Sequence, residues 1–142
     1  MAMVHQLLAV KGSAVHAIGP DEPVLAAIQA MADHGIGALL VMRGDELVGI
    51  VSERDYARKV VLQGRSSAET PVWQIMSSPV VTVTPDTSVA TCMMLMTERR
   101  IRHLPVVQDG RVVGVLSIGD LVRAVIEEQE REIAALQRYI AG

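Results

Sequence analysis

Shifted by 65 residues, the chain aligns with itself without a gap. Pro20-Asp21 falls on Pro85-Asp86, Gly49 on Gly114, Ser52 on Ser117 and Asp55 on Asp120. Between residues 20–61 and 85–126, 13 of 42 pairs are identical, and 12 of the other 29 exchange one apolar residue for another, proline counted as apolar. Such a register implies duplication of a unit of roughly 60 residues, which is marginal alone because it leaves one apolar face uncovered. Packing two copies together is the remedy, and a half-apolar chain of 142 residues is long enough to do so.

Each copy is expected to be β-α-β-β-α. A β-rich stretch (Val15 to Ile18; Val80 to Val83) leads to Pro-Asp, where Asp21 or Asp86 is placed to start a helix. Val24, Ile28 and Met31, and in the second copy Val89, Met93 and Met96, follow at helical spacing. Two short strands come next, 38–42 with 47–51 and 104–107 with 112–116, joined by Arg43-Gly44-Asp45 and Asp109-Gly110, both of hairpin chemistry. The expected fold class is α/β (α+β): two pseudo-symmetric repeats packed sheet to sheet, plus an extended C-terminal helix. The expected organisation is a first repeat at 10–64, a linker and short helix at 65–75, a second repeat at 76–127 and a helical extension at 128–142. Pro71 to Met76 reads as a helical approach to the second copy.

After its last strand each copy carries Ser-x-x-Asp, Ser52 with Asp55 and Ser117 with Asp120. The spacing is that of a capping box, in which the hydroxyl accepts from a first-turn N–H and the acid reaches back. The same geometry suits a ligand, because a carboxylate at a helix start can accept from both hydroxyls of a ribose while the helix dipole favours a phosphate. The usual capping box has Glu or Gln at the acid position, so the shorter Asp leans toward the ligand reading. Both readings stay open on the sequence.

Gly35-Ile36-Gly37-Ala38-Leu39-Leu40-Val41 with Leu47 to Asp55 resembles the core of a CBS domain, and Arg100-Ile101-Arg102-His103-Leu104-Pro105-Val106-Val107 with Val112 to Asp120 resembles it more closely. The resemblance spans about residues 10 to 127 and implies a tandem pair, a Bateman module, of the stand-alone bacterial type. It implies a non-catalytic sensor of adenine nucleotides bound in clefts between the two repeats. AMP is the first expectation, with ATP, ADP, NAD(H) or S-adenosylmethionine as the others. On the family pattern Asp120, Asp55, Ser117 and Ser52 meet the ribose, and Arg102, His103 and Arg54 the phosphate. Arg supplies a planar fork for phosphate oxygens and His one ring N–H. Around the adenine the pattern sets His16, Ala17, Ile18, Val81, Thr82, Ile36, Gly37, Ala38, Ile101, Val115 and Ile50, largely through main-chain groups. A solvated basic patch with Arg99 and Arg100 is the plain alternative for Arg102 and His103. Arg54 reads equally well as an exposed helix residue, and Lys11, His5 and His34 read as surface residues.

Past the second copy, Val122, Ile126, Gln129, Ile133, Leu136 and Ile140 alternate four and three residues apart, a heptad seam with one polar interruption. It is too short for a stable coiled coil by itself. A homodimer interface, or packing back onto the module, is expected to cover it.

The other function classes have little to stand on. A net charge of −3 without basic runs, one Trp, two Tyr and no Phe argue against nucleic acid. The apolar run Leu7 to Val10 is too short for a signal or membrane segment, so the cytoplasm is expected. The single cysteine, Cys92, reads as a buried structural thiol. Gly35-x-Gly37 lacks the third glycine of a dinucleotide loop, and no metal cluster or catalytic nucleophile motif is recognisable. No catalytic or metal residues are therefore expected. A regulated protein partner is expected but not identifiable. The competing reading is a ligand-free interaction or dimerisation module with vestigial clefts.

Overall fold

The strongest local signals, two hairpins of apolar strands, form the frame of each half. The computed structural model describes residues 2–141. The elements are α1 (Val4–Lys11), β1 (Ala17–Ile18), α2 (Val24–His34), β2 (Ala38–Arg43), β3 (Glu46–Ser52), α3 (Glu53–Tyr56), α4 (Val89–Arg99), β4 (His103–Gln108), β5 (Arg111–Ser117) and α5 (Ile118–Ala141). They fall into two units, one running from Val15 to Val81 and the other made of the residues up to Ala14 together with those from Thr82 onward.

In the Val15–Val81 unit, β1 pairs parallel with β2 and β2 antiparallel with β3. Helix α2 ends at Gly35, whose left-handed φ of 62° closes the last turn. The core is Val24, Ala27 and Met31 from α2, Leu39, Val41 and Val51 from the sheet, then Val60, Val72 and Ile75. After α3 the chain continues through a π turn, Ala57–Val61, and a 3-10 turn, Val72–Gln74, follows the linker. The segment read as a linker and approach to the second copy packs on the first: Val24 N–H donates to the Thr70 carbonyl, and Val72 N–H to that of Glu22.

The other unit repeats this plan with α1 in the place of the 72–76 segment. Val4 is fully buried, its N–H donates to the Thr87 carbonyl, and Val89 N–H donates to that of Ala2. Val89, Cys92, Met96, Leu104, Val106 and Leu116 occupy the positions of Val24, Ala27, Met31, Leu39, Val41 and Val51. Cys92 is a fully buried thiol, raised in pKa by desolvation.

Three local expectations are corrected. The helices begin after Pro23 and Ser88, not at Asp21 and Asp86; Ser88 caps α4 by accepting from Thr91 N–H at 3.1 Å. The first strand is only Ala17–Ile18. Its counterpart at Val80 to Val83 is reduced to one parallel bridge, Val83 to Val106. The cause is Pro105, which stands where Leu40 stands in the first repeat. Leu40 N–H donates to the His16 carbonyl, and proline has no N–H to offer Val81.

Candidate functional site

Both Ser-x-x-Asp turns are closed capping boxes. Ser52 Oγ accepts from Asp55 N–H at 3.2 Å, while Asp55 Oδ2 accepts from Ser52 N–H at 2.9 Å and Ser52 O–H at 3.0 Å. Ser117 and Asp120 repeat this at 3.3, 2.8 and 3.0 Å. The strand above each turn is locked to the loop before its hairpin, because Glu53 N–H donates to the Gly37 carbonyl and Ile118 N–H to that of Arg102.

Each aspartate also holds a lysine, and the two lysines come from unrelated places. Lys59, one turn beyond Asp55, lies 3.2 Å from its Oδ1 and donates to the Ile75 carbonyl at 2.9 Å. Lys11, at the end of α1, lies 2.5 Å from Asp120 Oδ2 and donates to the Val115 carbonyl at 2.6 Å. Lys11 is exposed, as expected of a surface residue, and its ammonium is engaged at this turn. Asp55 has both oxygens occupied; among the described residues nothing is bonded to Asp120 Oδ1.

His103 opens β4 directly across the ladder from Ser117 and is half-buried. Burial lowers its pKa, Lys11 and Arg102 push the same way, and Asp120 opposes them, so the ring favours its neutral form. Burial works against ionisation of Asp120, but the hydrogen bonds from Lys11 and from Ser117 N–H outweigh it and hold the carboxyl below its ordinary value. Arg102 is exposed just before β4, and Ile101 N–H closes the end of α4 on the Met96 carbonyl. One unit therefore gathers Ile101, Arg102, His103, Val115, Ser117 and Asp120 around the start of α5. Lys11 and Asp120 also line a groove of about 880 Å³ between α1 and α5, with Arg123, Glu127 and Arg131 along it.

The first repeat offers a plainer surface. Gly37 and Ala38 stand where Arg102 and His103 stand, and Arg54 is an exposed residue of the first turn of α3. Ile36 N–H closes α2 on the Met31 carbonyl. The main-chain N–H and C=O of Ile50 both bond to Ser77. His16 lies just before β1, with its ring stacked on that of His34 at 3.9 Å; Ala17 and Ile18 form β1 itself. Val81 is half-buried and Thr82 exposed, both outside any strand. The lysines were the residues missed. Lys59 had a signal, its i,i+4 spacing from Asp55; Lys11 had none, since it falls outside the repeated register.

A family model for the CBS domain matches residues 10–62 and 72–127. The chain belongs to the CBS domain family. It is 47% identical over 127 residues to the CBS domain-containing protein CBSX3, mitochondrial, of Arabidopsis thaliana, covering 86% of this chain and 62% of that one. The chain thus spans under two thirds of the length of that plant relative. Its fold is similar to a candidate signal-transduction protein with CBS domains from Burkholderia ambifaria MC40-6, at TM-score 0.87 and 50% identity over 90% of this chain and 96% of that one. It is also similar to the CBS domain pair of protein MJ0100 in complex with 5′-methylthioadenosine and S-adenosyl-L-methionine, at TM-score 0.80 and 25% identity, with 90% and 98% covered. The two CBS repeats are the two copies read from the sequence. Among the described residues, no helix is long and apolar enough to cross a membrane, and no three His, Cys, Asp or Glu are grouped to hold a metal.

Proposed function

We propose that this CBS pair is a non-catalytic regulatory module that binds an adenosyl ligand at its Ser-x-x-Asp turns, with Asp120 as the principal ribose acceptor. The observation that carries this is the state of the two carboxylates. Asp120 keeps Oδ1 open for a hydroxyl while Oδ2 is fixed by Ser117 and Lys11; on Asp55 a hydroxyl has to share Oδ1 with Lys59. Arg102 and His103 sit beside Asp120 as phosphate donors, with Thr82 of the same unit as a main-chain contact to an adenine edge, while His16, Ala17 and Ile18 offer such contacts in the unit that carries Asp55. AMP is the leading ligand, with ATP, ADP and NAD(H) as longer alternatives; the ligands of the MJ0100 complex are of the same adenosyl class. Binding acts by linkage, shifting a conformational equilibrium by its differential affinity for the two states and so changing contact with a regulated protein.

The module works as a homodimer through α5. Ile126, Ile133, Leu136 and Ile140 are exposed by 49, 54, 61 and 82%, so the described residues leave much of the heptad seam open. An apolar stripe left open in this way marks an interaction surface.

Calorimetry with AMP on the parent and on Asp120→Ala tests the ligand reading. Loss of the acceptor is expected to weaken binding by about 1–3 kcal/mol. Unchanged AMP affinity in a variant that melts several degrees lower would reduce Asp120 to a helix cap and favour the ligand-free interaction module.

A further inference from the structure

Lys11 is out of place as a surface lysine. It lies at the very start of the first repeat, outside the 20–61 register, yet its ammonium is drawn onto the acidic end of the second repeat's turn, bonded to Asp120 Oδ2 and to the Val115 carbonyl. Those contacts engage two of its three N–H protons and leave the third without a protein acceptor among the described residues. The position is fixed by packing: Val4 is buried at the start of α1 and Leu8 lies on Gly114, which sets the end of the helix over the turn.

We propose that Lys11 is a specificity-determining residue that makes the second repeat prefer phosphorylated adenosyl ligands over uncharged or sulfonium ones. This rests on the adenosyl reading of the same turn and adds what that reading leaves open, the charge of the ligand. A bare carboxylate in the ribose position repels a phosphate carried on the same sugar, and like charges a few ångströms apart in a half-buried setting interact strongly. Lys11 cancels that charge and presents its remaining N–H as a charge-assisted donor. Arg102 adds a second cation at the head of β4. The first repeat differs: its cation, Lys59, comes from the π turn that follows α3, one turn beyond Asp55, and Gly37 and Ala38 replace the Arg-His pair.

The test is calorimetry of the full chain with AMP and with 5′-methylthioadenosine, on the parent, Lys11→Met and Lys11→Arg, with circular dichroism to establish that each variant is folded. The parent should bind AMP about tenfold more tightly than 5′-methylthioadenosine at one site. Lys11→Met should lose most of that preference by weakening AMP alone, and Lys11→Arg should keep it. An AMP preference equal in the parent and in Lys11→Met overturns the role of Lys11 while leaving adenosyl binding intact. Absence of binding by either ligand to the parent overturns the adenosyl reading itself, and this inference with it.

Discussion

Leu8 rests on Gly114 so closely that a Cβ at the glycine would come within 2.6 Å of its Cδ2. Met76 lies in the same way on Gly49, the matching residue of the first repeat, with its sulfur, Cγ and Cβ all inside contact distance of a Cβ there. The glycine is what lets each hairpin face admit the segment packed on it, residues 72–76 on the first copy and α1 on the second. Gly114→Ala and Gly49→Ala should each destabilise the fold by about 1–2 kcal/mol through overpacking, despite the entropy alanine removes from the unfolded chain. Urea denaturation of both variants checks this.

Arg100 ends α4 at φ 54°, in the place Gly35 holds at φ 62° in the first repeat. A side chain in that region costs about 1–2 kcal/mol. Arg100→Gly should therefore raise stability by roughly 0.5–1 kcal/mol, once the greater freedom of unfolded glycine is counted. A thermal melt that falls instead would show that the arginine makes a stabilising contact outweighing its strain.

The carboxyl of Asp120 is depressed in the folded protein, so in acid the unfolded chain binds its proton first. The stability it contributes is complete above about pH 4, the unfolded value, and is lost as pH falls through the lower folded value. Asp120→Asn should melt below the parent at neutral pH, and the gap should narrow from about pH 4 downward. Melting curves across pH 2.5 to 7 measure it; a gap independent of pH would break the link between the Lys11 pair and stability.

His103 is depressed for the opposite charge type, since burial disfavours its imidazolium. Folded stability is complete above about pH 6.5 and declines as pH falls through the folded value, because the unfolded chain takes up the proton more readily. His103→Gln should flatten that part of the pH–stability profile. Titration of the ring by NMR should place its midpoint below that of a free histidine.

The α5 seam predicts a dimer of twice the 15.3 kDa chain mass. Ile133→Asp should return it to a monomer without loss of secondary structure, since Ile133 is 54% exposed. Light scattering at micromolar concentration reads the outcome, and a monomeric parent would leave the seam to another partner.

Short-range patterns carried much of this protein in plain view of its sequence. The two copies follow from the 65-residue self-alignment, and the hairpins, the capping boxes at Ser52 and Ser117, the burial of Cys92 and the heptad seam of α5 from neighbours two to seven residues apart, where backbone geometry fixes who meets whom. Pro105 was legible too, though its consequence, the loss of the second copy's first strand, appears only once the parallel partner is in place. The tertiary structure alone decided which segment covers each copy, with α1 serving the second copy and residues 70–76 the first. It alone set Lys11 on Asp120, 109 residues away. No periodicity encodes such a pairing, because it depends on the path of the whole chain and on the gap that Gly114 leaves for Leu8.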